Sequence, residues 1–276
     1  MATSLTNGFQ TYALSVYVSG TDVYVTGQEN ISNTWTAKVW KNGVATSLTD
    51  GSNSAGGNSI YVSGTDVYVA GYEDDGFVDV AKVWKNGVAT SLTNGSGIAS
   101  GNSVYVSGTD VYVAGTELES NNGANYVAKV WRNGVASSLT NGTNDAYATS
   151  VYLSGTDVYV AGYEGNVAKV WKNGVATSLG FSNARAYSVY VSGTDVYVAG
   201  YEGNVAKVWK NGVATLLTNG SSPAYARSVY VSGTDVYVAG EQREGTKTVA
   251  KVWKNGVATS LTNGSNDGGA YSIFVK

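Results

Sequence analysis

Short runs rich in Val, Tyr, Trp and Thr alternate along this chain with clusters of Gly, Asn, Asp and Ser, and after four such runs the pattern begins again. This is the signature of strands separated by tight turns. In one copy the runs are Ser150 to Leu153, Val158 to Tyr163, Val167 to Lys172 and Val175 to Leu179. Ser154-Gly155-Thr156-Asp157 reads as a four-residue hairpin loop between the first two. Asn173-Gly174 reads as a two-residue turn between the last two, since both positions tolerate positive φ. The second run is almost continuously apolar, as expected of a small sheet covered on both faces.

The string Tyr-Val-Ser-Gly-Thr-Asp-Val-Tyr-Val begins at Tyr17, Tyr61, Tyr105, Tyr190 and Tyr230, and at Tyr152 with Leu153 in place of Val. Lys-Val-Trp-Lys-Asn-Gly-Val-Ala follows each copy and sets Trp40, Trp84, Trp131, Trp171, Trp209 and Trp253 at equivalent places, with Arg132 replacing Lys once. One copy cannot bury both faces of its own sheet, so the copies must stack. Radial stacking predicts an all-β fold, a β-propeller of four-stranded antiparallel blades with the Trp side chains packed between them. The six repeats span about 12–49, 56–93, 100–140, 147–179, 185–218 and 225–262, and no linker divides them, which reads as a single domain over 1–276.

The ends add a choice. Ala2 to Gly8 duplicate the fourth run and Tyr271 to Val275 the first, so 1–20 and 257–276 are two copies of one terminal element. Six blades with one redundant element are expected; the alternative is seven blade positions, one completed by both termini or by a second chain. Self-association through terminal strands follows as an expectation.

These residues also carry a resemblance. Val-Tyr-Val-Ala-Gly, then a variable loop and a Trp, is similar to the kelch pattern. It departs in having Ala161-Gly162 where kelch repeats have a Gly pair, and in placing the Trp before the Asn-Gly turn. The whole chain more closely resembles the near-identical repeats of uncharacterised bacterial propeller proteins of Bacteroidetes type. That resemblance implies the fold and no activity.

Composition removes chemistry. The chain has no Cys and no His, which excludes disulfides, thiolate nucleophiles, Ser-His-Asp triads and Cys/His zinc sites. A net charge of −3 gives no electrostatic case for nucleic acid or an anionic membrane. Met1 is followed by Ala-Thr-Ser-Leu-Thr-Asn-Gly without an apolar leader, so the chain reads as soluble, its compartment open, and extracellular or cell-surface only if cut from a longer bacterial protein.

Antiparallel strands put alternate turns at opposite ends of a blade. One end is nearly invariant: Asp22, Asp66, Asp110, Asp157, Asp195 and Asp235 in one set, Lys41, Lys85, Arg132, Lys172, Lys210 and Lys254 in another. Turn chemistry accounts for both. The other end varies, with Glu73-Asp74-Asp75, Glu164-Gly165-Asn166 and Glu202-Gly203-Asn204 among its loops, and Tyr12, Tyr147, Tyr187, Tyr225, Arg185 and Arg227 in the links between repeats. Tyr147, Glu164, Arg185, Tyr187, Glu202, Tyr225 and Arg227 are the candidate ligand face, for glycans or a protein surface. No catalytic residue and no cofactor are expected; calcium is conceivable only at acidic loops such as Asp74-Asp75-Gly76. The expected function is a non-enzymatic repeat scaffold or binding module, natural or constructed, with a carbohydrate-binding lectin as the alternative.

Overall fold

The structure, a computed structural model, describes residues 4–6, 10–118 and 125–276. These residues form six four-stranded antiparallel sheets, each with its strands in chain order, and the sheets are the blades of a β-propeller, as the repeat predicts. Blades 1 to 6 span 11–47, 55–91, 99–138, 146–180, 184–216 and 224–260.

Blade 4 shows how the repeat encodes the sheet. Its strands are Ala146–Ser154, Asp157–Glu164, Val167–Lys172 and Val175–Gly180. Ser154 pairs directly with Asp157, so the first turn holds two residues rather than the four read from the sequence. Gly155, at φ 59°, makes that tightening accessible. Asn173 (φ 50°) and Gly174 (φ 82°) form the expected two-residue turn.

The first strand begins four residues earlier than the hydrophobic alternation indicates. A β-bulge is the reason: the register runs Ala148 to Gly162 and then Ser150 to Ala161, leaving Thr149 over. The same shift leaves over Leu14, Asn58, Asn102, Tyr187 and Arg227 in the other blades. Opposite the bulge stands the Gly of each Ala-Gly pair. A Cβ on Gly162 would lie 1.9 Å from the Tyr147 carbonyl oxygen and 3.0 Å from the Trp171 ring, so only glycine fits.

The chain divides into two compact units, 1–145 and 146–276. In the second, Trp209 is enclosed by Tyr159, Ala161, Ala168 and Leu179 of blade 4 and by Val189, Val191 and Val198 of its own blade. Trp253 is held likewise between blades 5 and 6. In the first unit, Trp84 and Trp131 occupy the corresponding places. Side-chain hydrogen bonds add to this packing: Val189 N donates to Ser150 Oγ and Val229 N to Ser188 Oγ, each at 3.2 Å.

Val257–Ser260 is the fourth strand of blade 6, which is thus complete from consecutive residues. Of the two terminal copies, the C-terminal one thus supplies that fourth strand. Beyond it, Ile273 N donates to Ser228 Oγ at 3.3 Å and the Phe274 ring lies 5.1 Å from Tyr230. These are the contacts a following blade's first strand makes elsewhere in the unit. Of the N-terminal copy, residues 1–3 and 7–9 lie outside the described residues.

Candidate functional site

At the invariant end of blade 4, Asp157 accepts hydrogen bonds from Lys172 Nζ and Asn173 Nδ2, both at 2.7 Å. Asn173 Oδ1 in turn accepts from Val158 N at 2.8 Å. These bonds, that of Lys172 foremost, hold the Asp157 carboxyl below its ordinary pKa. The same arrangement recurs in every blade, so the acidic and basic sets of the sequence neutralise one another locally. Turn chemistry is what they do.

The variable end is different. Glu164 and Glu202 are held by Lys169 and Lys207, two half-buried ion pairs within their own blades. Glu202 also accepts from Phe181 N at 3.0 Å, and Lys207 first of all keeps its carboxyl low. Sequence reading missed the lysines of Ala-Lys-Val. Each is paired across the sheet with the Gly facing the bulge, as Lys169 is with Gly162, where the absent side chain leaves room. A lysine inside an otherwise apolar run was the available signal.

Tyr12, Tyr147, Arg185, Tyr187, Tyr225 and Arg227, read from the sequence as link residues, all lie within first strands. Tyr187 and Arg227 are the bulged residues themselves, and Tyr147, Arg185 and Tyr225 stand two positions before a bulge. The bulge hid them by breaking the two-residue alternation. Tyr147 stacks on Tyr163 with centroids 4.8 Å apart. Arg185 lies over the same Tyr163 ring, Cζ to centroid 4.4 Å, and its Nη1 donates to the Tyr163 hydroxyl at 3.2 Å. Tyr187 contacts Tyr201 at 5.8 Å, and Tyr201 meets Tyr225 edge to face at 4.9 Å. Arg227 sits 4.6 Å from the Tyr187 centroid, 5.0 Å from Tyr225 and 5.9 Å from Tyr271, and donates through Nε (3.1 Å) and Nη2 (2.5 Å) to Glu241.

The structure thus brings five of the seven candidate residues into one Tyr–Arg cluster of the second unit and turns Glu164 and Glu202 to their lysines. Tyr163, Tyr201, Glu241 and Tyr271 are members the sequence reading did not name. Burial pushes the Tyr163 hydroxyl well above its ordinary pKa against the pull of Arg185, and raises Tyr187 to about 12 against the pull of Arg227. Both phenols therefore remain protonated near neutral pH. Arg227 is raised as well: burial opposes its charge, but Tyr187 and Glu241 outweigh burial. Beside it opens a cavity of about 260 Å³ lined by Glu241, Thr248, Asp267, Gly268, Gly269 and Tyr271. Chemically the cluster offers guanidinium and phenol donors on aromatic walls.

The first unit carries other residues at these positions. Tyr12 rests on Trp35 at 5.4 Å, and Asn58 donates to Ser100 Oγ and Gly101 O, both at 3.0 Å. In the acidic loop, Asp74 accepts from Gly76 N at 2.6 Å, and Asp75 from Phe77 N and Val78 N at 3.0 Å, so both carboxylates close their own loop. Among the described residues no group of three or more Asp and Glu is placed to hold a metal ion, and no helix is long and apolar enough to cross a membrane.

No known family and no curated protein sequence matches this chain. Solved structures do. The acylaminoacyl peptidase of Pyrococcus horikoshii is similar over 92% of this chain and 46% of its own length, with 12% identity and a TM-score of 0.53. A puromycin-hydrolyzing peptidase of Mycobacterium tuberculosis is similar over 96% of this chain and 48% of its own, with 12% identity and a TM-score of 0.64. The chain spans about half the length of these peptidases. At such identity the likeness shows the fold alone, but both of these neighbours are peptidases, and the functional expectation is corrected accordingly. The non-enzymatic scaffold or binding module, with its lectin alternative, is not supported.

Proposed function

We propose that this chain is the propeller part of a peptidase-type enzyme, in which the Tyr–Arg cluster contacts the peptide and residues outside the chain cleave it. The fit carries the reading: nearly all of this chain corresponds to less than half of each peptidase. Under it, bond cleavage belongs to the half of each peptidase that lies outside the match. Composition agrees, since without His or Cys this chain cannot supply the Ser-His or Cys-His couple of common peptidase chemistry. The cluster suits contact rather than cleavage. Its raised phenols donate hydrogen bonds to peptide carbonyls and are poor bases at neutral pH. The Val-Tyr-Val strand ends, with a variable loop and a Trp after them, are what favours a kelch-like repeat of bacterial type, although Ala-Gly stands where kelch repeats have a Gly pair.

The test is to isolate the tagged chain from its native cells and assay hydrolysis of acyl-aminoacyl anilides, with the recombinant chain as control. Activity that co-elutes with the tagged chain and is absent from the recombinant one is expected. A tagged chain that folds but elutes without peptidase activity overturns the proposal.

A further inference from the structure

Charge at the Tyr–Arg cluster is unevenly compensated. Arg227 is neutralised by Glu241 through two hydrogen bonds, and Glu164 and Glu202 are taken by Lys169 and Lys207. Arg185 has no carboxylate partner among the described residues. It is exposed, yet it is held at two points: the guanidinium lies over the Tyr163 ring, and its Nη1 donates to the Tyr163 hydroxyl. Tyr147 backs that ring from within the same cluster. A guanidinium has five N–H donors in a rigid fork, so most of them remain for a ligand. Immobilising the fork beforehand removes the entropy a mobile surface arginine loses on binding.

We infer that Arg185 is a receptor for a single carboxylate on the peptide that reaches this cluster, with Tyr163 and Tyr147 as the aromatic wall beside it. The site takes one negative charge and not two, because its second arginine is already paired. This rests on the reading of the chain as part of a peptidase-type enzyme only for the word peptide; the carboxylate receptor stands on the cluster itself. The carboxylate belongs either to a peptide C-terminus or to an Asp or Glu side chain.

Isothermal titration of the full chain with three capped peptides separates these sources: acetyl-Ala-Ala with a free C-terminus, acetyl-Ala-Ala-amide, and acetyl-Ala-Asp-Ala-amide. One or both acids should bind at least tenfold more tightly than the uncharged amide, since a charge-assisted fork is the stronger kind of hydrogen bond. Arg185→Gln should remove that preference, Arg185→Lys should retain part of it, and Arg243→Gln should leave it intact. Because Arg185 is exposed, its variants should melt with the wild type, so a lost preference reports binding. Acids and amide binding alike, or an acid preference that survives Arg185→Gln, overturns the receptor. Acetate binding that Arg185→Gln abolishes, with none of the peptides bound, would uphold the receptor and overturn the peptide reading instead.

Discussion

Trp209 is 1% exposed, and its ring touches side chains of two blades. Truncation therefore removes apolar contact from both and leaves a cavity that neither sheet can close. Trp209→Ala should cost about 3–5 kcal/mol, measured by denaturant unfolding, and a loss under about 1 kcal/mol would mean the ring is not a packing element. Tyr187 gives a second test at this scale. Its folded pKa, about 12, exceeds the ordinary 10.0. Its neutral form therefore stabilises the fold fully below pH 10, and that contribution is lost as pH rises through 12, where the unfolded chain has already released the proton. Thermal midpoints should fall from pH 9 to pH 11, and Tyr187→Phe should flatten part of that fall. An unchanged slope in the variant would place the Tyr187 hydroxyl in water.

The element that defines this sheet is the bulge in each first strand with the glycine opposite. Gly162→Ala would push a methyl group against the Tyr147 carbonyl and the Trp171 ring, both parts of the sheet interior. It should destabilise the protein by about 1–3 kcal/mol in chemical denaturation, whereas the exposed Gly155, with nothing within 4 Å, should not show such a steric clash. Much at this scale was legible in the sequence. Strand number, the Asn-Gly turn and the Asp at the first turn follow from local chemistry repeated without change, whereas the sequence reads the Lys of the third strand as a solvated flank and not as the partner of that Asp. The bulge was not legible, because an extra residue reverses the alternation that marks a strand, and Ala146 to Thr149 then look like a link. Tyr147, Arg185 and Arg227 were visible as variable residues, but their joining through Tyr163, Tyr187 and Tyr201 depends on which side chains the bulge re-aims.

At the scale of the molecule, repetition and variation divide the work. Residues that recur in every copy build turns and interblade packing. Residues that differ stand in the variable loops and at and just before the bulges, and among the described residues two arginines meet the tyrosines there in the second unit. That uneven placement is why a repeat with no evident reaction centre still presents a distinct site. Function was the least legible property, since the strings that dominate this sequence are those of the scaffold.

Hydrogen–deuterium exchange with the tighter-binding of acetyl-Ala-Ala and acetyl-Ala-Asp-Ala-amide is the most direct measurement of whether this site meets a peptide. A bulge leaves its extra residue outside the regular ladder, so the amides around Thr149, Tyr187 and Arg227 can report on a ligand. Protection is expected in 146–149, 184–187 and 224–227, with no change at the Asn173-Gly174, Asn211-Gly212 and Asn255-Gly256 turns. Protection at those turns, or none anywhere at saturating peptide, would contradict the account.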